Sequence, residues 1–401
     1  MSRGPVFFHA PHRVLFMAGA TQGLLAMAWW LFDLGGRFAQ LYALPTWPLP
    51  PAWVHAMLML YGFFPFFMFG FIMTAAPRWV GAAAVAPRTY LSSFALMSAG
   101  WLLFYAALWL PLLLAPALAL VLAGWCAALA ALFRIARSGG GRRGHLLIVV
   151  AAMAAGALGL GALLAFAAGG PAWLATAALT GGLWFCLLPV FVAVCHRMIP
   201  FFSGAVIPGY RAVQPGWALV ALVACGVGHG LLTLAGLAAW TWLVDAPAAT
   251  VALLLSVGWQ LRKSFAVRLL AMLHLAFAWI AVAFVLHAVH AGLLFAGREG
   301  LGLAPLHALT IGCFASLLIG MATRVSLGHS GRGLAPGEGV WGLFLAVQAA
   351  AVLRVTAEFL GASGMAALSA LAGLAWLGAF GWWVAAFAPV YLRPRADGEP
   401  G

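Results

Sequence analysis

Residues 267–296 read VRLLAMLHLAFAWIAVAFVLHAVHAGLLFA, an apolar run broken only by one arginine near its start and by three histidines. An α-helix rises about 1.5 Å per residue, so about 20 apolar residues cross the hydrocarbon core of a bilayer. The run therefore predicts a membrane-spanning helix. Together with similar runs elsewhere, it predicts an all-α, polytopic membrane protein of about twelve transmembrane helices. The twelve runs lie at 13–34, 52–76, 90–111, 113–135, 145–168, 173–195, 216–236, 239–261, 267–296, 303–323, 339–360 and 365–391.

The composition of the chain supports the same class. Of the 401 residues, 66% are hydrophobic and only 7% are charged, whereas a soluble domain carries roughly 25% charged residues. A transmembrane β-barrel would alternate apolar and polar residues in segments of about ten, but the runs here are continuous and longer. We expect one transmembrane helical domain over 1–401 without a soluble domain, because no connection is long enough to fold by itself.

The basic residues are distributed unevenly between the two predicted sides. Lys and Arg number 20 against 7 Asp and Glu, a net charge of +13. Seventeen of the 20, from Arg3 to Arg395, fall on the side of the N-terminus. Arg37 and Arg298 fall on the other side, and Arg354 lies inside the eleventh run. Since basic residues concentrate in cytoplasmic loops, the charge predicts two cytoplasmic termini rather than a nucleic-acid partner.

The sequence motifs of several classes of enzyme and transporter are missing from this chain. The sequence has no Walker loop, G-x-S-x-G elbow, H-E-x-x-H or carboxylate pair, so hydrolysis and ATP-driven transport are poorly supported. The five cysteines lie within predicted helices without C-x-x-C spacing, and C-x-x-C-H is missing, which excludes covalent c-type haem. Arg354 and Glu358, four residues apart, predict a structural ion pair or, alternatively, a carboxylate on a proton path.

Eleven histidines stand out in a chain so poor in charge. Polar groups inside a membrane tend to mark function, and neutral imidazole is the commonest metal ligand. Five of the eleven are predicted in the outer half of the membrane: His55, His229, His287, His290 and His307. They predict haem or metal ligation between helices, with His55, His287, His290 and His307 as the metal candidates. Alternatively, each could be an interfacial histidine with its own partner.

A second group of polar residues is predicted near the cytoplasmic side. Arginine beside histidine at several helix ends suits an anion such as a haem propionate or a phosphate. The alternative is that the arginines only mark orientation. Helix nine carries His274 and His287, which are about 220° apart around the helix and could serve two sites. The inner group consists of His9, His12, His196, His329 and the deeper His274, with Arg13, Arg197, Arg324 and Arg332.

Several stretches of the chain, from about residue 5 to residue 332, resemble the NnrS family. The most specific is HALTIG at 307–312, which continues to GMATRVSLGHSGR at 320–332. The others are PHR at 11–13, GFIMTAAPRW at 70–79 and HRMIPFF at 196–202. The resemblance implies a bacterial inner-membrane protein that binds haem and copper and is linked to nitric oxide metabolism and nitrosative stress.

One motif departs from the family pattern. Many relatives read H-A-H-E-M near the start of the second helix, whereas this chain has HAMLM at 55–59. The first histidine is kept, but Met57 and Leu58 replace the second histidine and the glutamate. This puts the metal content of the site in doubt, and Met57 or Met59 could supply a soft thioether ligand that suits Cu(I).

Three functions fit these patterns. The first is a haem and copper protein that binds or transforms nitric oxide; the five outer histidines suffice for one non-covalent b-type haem and one copper. The H-x-x-x-Y-H pattern of haem–copper oxidases is missing. The second is a twelve-helix transporter or channel for a metal ion or small anion with a histidine-lined path. The third is a sensor or an assembly factor that passes haem or copper to another enzyme.

Overall fold

The computed structural model describes residues 5–334 and 337–398; Arg3, counted above on the basic side, lies outside these ranges. Within them, twelve long helices follow one another and no strand is present. They are α1 Pro11–Arg37, α2 Pro51–Val80, α3 Pro87–Ala107, α4 Pro111–Ser138, α5 Gly144–Ala167, α6 Trp173–Val206, α7 Gly216–Leu234, α8 Trp242–Gly258, α9 Arg268–Phe295, α10 Ala304–His329, α11 Glu338–Ala357 and α12 Ala362–Leu392. Short helical turns lie at Val6–His9, Ala238–Trp240 and Leu261–Ser264.

The predicted fold class is confirmed. In the described part of the chain, eleven helices are long and apolar enough to cross a membrane, and α8 is a shorter apolar helix of 17 residues. Asp245 and Pro247 lie within the first turns of α8. A proline inside a helix removes a backbone hydrogen bond, so Asp245 and Pro247 together interrupt the apolar pattern of this span.

Helix boundaries follow local chemistry at both ends. Pro11, Pro51 and Pro87 each occupy the first position of a helix, where the missing N–H would have no partner. Gly81, with a φ of 70°, ends α2 in the left-handed conformation, which glycine adopts without steric cost.

Three helices form the centre of the bundle. The most apolar windows of α2, α6 and α10 are 89%, 83% and 78% buried, against 33–61% for the other candidate spans. Each of the three also contains a π-helical segment, at Leu58–Phe63, Gly182–Leu187 and Ala308–Ala315. Segments of this kind are rare and are often found at functional sites.

The helices repeat one packing pattern three times. We call α1–α4, α5–α8 and α9–α12 the first, second and third units. In each unit the first helix packs along the central second helix, and the third and fourth pack together. The fourth helix then packs on the first helix of the next unit, and α12 returns to α1 to close the ring. This repeat was not recognised in the sequence, because hydropathy does not indicate which helices pack together.

Candidate functional site

The interface between the first and second units is filled by side chains. The Tyr61 hydroxyl of α2 donates a hydrogen bond of 2.6 Å to the Ala178 carbonyl. Any side chain at Gly159 would collide with that hydroxyl, and one at Gly182 would also crowd the ring. Trp125 lies against the same tyrosine, with ring centroids 6.1 Å apart. This interface is therefore closed by aromatic packing.

The interface between the third and first units contains a cavity of about 130 Å³. Its walls come from α1, α2, α10, α11 and α12, and they include His55 and His307 from the two facing central helices. Trp30 stacks on His55 with ring centroids 4.4 Å apart, and Trp376 closes another wall. Two predicted histidines thus share one cavity whose other walls are largely apolar.

Both histidines of this cavity keep a ring nitrogen free. His307 Nδ1 lies 2.9 Å from the Leu303 carbonyl, which can only accept, so Nδ1 carries the proton. Its Nε2 lone pair has no hydrogen-bond donor within the described residues. His55 Nδ1 is buried without a hydrogen-bond partner. A buried, unpaired imidazole nitrogen is costly unless it meets a ligand.

Arg354 contributes a charged side chain to the wall of this cavity. Its guanidinium forms an ion pair of 2.6 Å with Glu358, four residues later, and both side chains are largely buried. This is the i,i+4 pair that the sequence predicted. Of the two methionines considered as soft ligands, Met59 lines the cavity, whereas Met57 is buried but does not line it.

The interface between the second and third units holds a second polar group. His229 Nδ1 lies 2.7 Å from Asp245 Oδ1, and Asp245 is fully buried. His229 also stacks on Trp184 of α6 at 3.8 Å and meets His287 edge-on at 4.6 Å between ring centroids. Because the carboxylate accepts the Nδ1 proton, the Nε2 lone pair of His229 is free. His287 Nε2 is buried without a partner.

The five outer histidines therefore fall into two groups. His55 and His307 share the cavity, while His287 contacts His229 at the other interface. His290 Nδ1 accepts a 2.9 Å hydrogen bond from the Leu301 N–H. In residues 5–334 and 337–398, no three His, Cys, Asp or Glu side chains lie close enough to hold a metal ion together. The four predicted metal candidates are not gathered at one point, because α9 directs His287 toward the second unit.

Asp245 and His145 had no role in the sequence-based site. Asp245 lies in the eighth apolar run, and a carboxylate in such a run is itself a functional signal. His145 Nε2 lies 2.9 Å from His196 Nδ1, and His196 Nε2 lies 3.1 Å from the Pro215 carbonyl. No local pattern marks His145, since its partner is 51 residues away.

Part of the inner group predicted as an anion clamp lies together, because His12, Arg13 and His329 are close enough to interact electrostatically. His12 of α1 lies against His329 of α10, with ring centroids 4.9 Å apart, and its Nδ1 is 3.4 Å from Thr74 Oγ1. Arg332 has one buried guanidinium nitrogen without a hydrogen-bond partner. His9 ends the short helix Val6–His9.

The other members of the inner group are held mainly by aromatic and hydroxyl groups. Arg197 lies over the ring of Trp79 at 4.7 Å, and Arg324 lies over Phe202 at 3.8 Å. His274 Nε2 is 2.9 Å from Ser203 Oγ. Both arginines therefore make cation–π contacts.

Arg13 has a structural role that can be tested. Its Nη1 donates to the Tyr391 and Arg393 carbonyls at the end of α12, at 2.8 and 2.9 Å. Hydrogen bonds from charged groups contribute about 1.5–3 kcal/mol each, so we expect Arg13→Ala to lower the unfolding temperature in detergent by several degrees. Arg142→Ala, at an exposed loop position, is the control. Equal unfolding temperatures for the two variants would contradict this role.

The NnrS protein family model matches residues 6–395. The chain belongs to the NnrS family. The match includes both outer histidine groups and extends past residue 332, where the quoted motifs end. No curated protein is similar enough to this NnrS-family chain to count as a relative. Family membership supports a multi-pass membrane protein linked to nitric oxide stress.

Proposed function

We propose that this NnrS-family protein binds b-type haem at His55 and His307 and copper at His229 and His287, and that nitric oxide is bound or transformed within the bundle. We place it in the bacterial inner membrane with both termini in the cytoplasm, as the distribution of basic residues predicts. The observation that carries the proposal is the pair of histidines facing one cavity from two central helices, each with a free ring nitrogen.

The donor set of the cavity fits haem. Neutral imidazoles from two helices would serve as ligands of haem iron, and the apolar and aromatic walls would suit the macrocycle. The Arg354 guanidinium would offer a counter-charge for a propionate. The volume of about 130 Å³ is below the roughly 300–1,000 Å³ usual for ligand pockets. Binding would therefore require the tryptophan walls to move apart.

This chain's own residues would orient the ligands. The hydrogen bond from His307 Nδ1 to the Leu303 carbonyl holds the imidazole with Nε2 toward the cavity. The Trp30 ring restrains His55 by stacking. When bound, haem would supply an iron centre for nitric oxide, which would have to replace one of the two histidine ligands. The apolar walls would keep water from that centre and leave it accessible to an uncharged gas.

The second polar group fits copper. His229 and His287 offer two neutral imidazole nitrogens, which suit Cu(I) at low coordination number. The Asp245–His229 hydrogen bond is the carboxylate–histidine arrangement that fixes the tautomer of a metal ligand and raises its basicity. His290 is less suited, because its Nδ1 already accepts the Leu301 N–H.

The transporter alternative is weaker on these observations. An ion path needs polar groups along its length. At the border of the histidine cavity, the rings of Phe64, Phe191 and Phe314 pack together. These rings form an apolar barrier across the direct route from the cavity toward the inner side.

Metal analysis and an optical spectrum of the detergent-purified protein test the proposal. We expect a Soret band of a bis-histidine haem, copper in the same preparation, and a spectral change when nitric oxide is added to the reduced protein. A colourless protein that holds no copper after purification from cells supplied with haem and copper would overturn the proposal.

A further inference from the structure

A small apolar cavity lies between the three central helices. Its volume is about 50 Å³, and its walls come from α2, α6 and α10 with one residue of α1. Every lining side chain is apolar and buried. The lining includes Phe67, Met68, Val190, Val194, Leu318 and Met321. We call this space the axial cavity.

The chemistry of the walls decides what the axial cavity can hold. A buried water needs about two to four polar partners, and apolar cavities remain dry but bind apolar molecules such as xenon. The lining offers no polar side chain, so water and ions are disfavoured there. The volume is too small for a lipid chain. An uncharged molecule of a few atoms is the class of ligand that fits.

The axial cavity lies one helical turn from the histidine cavity. Along α2, Phe63 and Phe64 line the histidine cavity, whereas Phe67 and Met68, four residues later, line the axial cavity. Along α10, Ala315 lines the first and Leu318 the second. Along both α2 and α10, the histidine cavity therefore comes first and the axial cavity about one turn later.

An aromatic partition separates the two spaces. Phe191 stacks on Phe314 at 4.3 Å, and Phe64 meets both edge-on at 5.7 and 6.0 Å. Phe64 faces the histidine cavity, and Phe191 faces the axial cavity. Small rotations of these rings would open a passage for a diatomic molecule without exposing the interior to water.

We propose that the axial cavity is a binding site for a small uncharged gas, which passes the Phe64–Phe191–Phe314 partition to reach the histidine cavity. The assignment of the gas as nitric oxide rests on the proposed function. The existence of the gas site does not, because it follows from the lining and volume of the cavity alone.

Xenon tests the site independently of any cofactor. In crystals of the full chain equilibrated under xenon pressure, we expect an anomalous peak between Val190, Leu318 and Met321. Ala322→Leu should remove the peak by filling the cavity, and Met321→Ala should strengthen it by enlarging the space. Ala130→Leu, at an exposed position of α4, should leave it unchanged.

The outcomes separate this inference from the proposed function. No xenon peak in the axial cavity of the unaltered protein, or a peak that neither cavity variant changes, would overturn the gas site whether or not haem is bound. If xenon binds as expected, flash photolysis of the nitric oxide complex tests the route, and Ala322→Leu should slow rebinding relative to Ala130→Leu. Equal rebinding rates would overturn the route.

Discussion

Replacing His307 with alanine should remove most of the haem from the purified protein. The substitution deletes one of the two imidazoles that face the cavity and leaves the Leu303 carbonyl without its side-chain donor. Changes around a metal ligand commonly cost about 10–100-fold in affinity, so we expect the ratio of Soret to protein absorbance to fall at least about tenfold. His55→Ala should have the same effect, because it removes the opposite ligand.

The control is His145→Ala, which deletes a histidine that pairs with His196 away from the cavity. This variant should retain the Soret band. Copper should remain bound in His307→Ala if the two sites are separate. Unchanged haem in both His55→Ala and His307→Ala would show that the cavity is not the haem site. If size-exclusion chromatography shows that folded protein is lost in the same proportion as haem, the two histidines have a packing role instead.

The helices were predictable because each apolar run carries its own signal. A stretch such as 267–296 must be helical inside a bilayer, since every backbone N–H and C=O needs a partner within the segment. The structure has a helix at each of the twelve predicted runs; eleven are long enough to cross a membrane, and α8 is shorter. The sixth was placed too short, because the polar residues after Cys195 hid a helix that continues through Pro200 to Val206.

The grouping of the histidines was not predictable in the same way. Depth along a helix follows from residue number, and His55 and His307 were each placed near an outer helix end. Which neighbour each ring faces depends on the order of helices around the bundle, which hydropathy does not encode. Asp245 shows the consequence: its partner His229 is 16 residues away on another helix.

The three unit interfaces provide a physical account of how one bundle holds two different sites. Tyr61 and Trp125 close the first interface, so it adds packing and no chemistry. The other two interfaces carry histidines where the first interface carries aromatic side chains. Each of the three interfaces adjoins the π-helical segment of a central helix. A π-segment changes the direction of the residues that precede it relative to those that follow. His307 lies immediately before such a segment, at Ala308–Ala315.

Asp245→Asn should weaken copper binding without affecting haem. The substitution keeps the size of the side chain but removes the buried charge that accepts the His229 Nδ1 proton at 2.7 Å. Loss of such a carboxylate partner typically lowers metal affinity about 10–100-fold. We expect this decrease in a competition titration with a colorimetric Cu(I) chelator, and a larger loss in His287→Ala, which removes a ligand. The Soret band should be unchanged in both variants.

Asp33→Asn is the matched control, because Asp33 near the end of α1 is also a fully buried carboxylate, paired with Arg37 and 3.0 Å from Trp47 Nε1. It should lower thermal stability and leave copper affinity at the level of the unaltered protein. A general effect of losing a buried charge would lower copper affinity equally in both Asn variants, and that result would rule out a specific role for Asp245. If His287→Ala and Asp245→Asn both bind copper normally, the metal lies elsewhere. In that case the Asp245–His229 pair serves only to satisfy a buried carboxylate in α8.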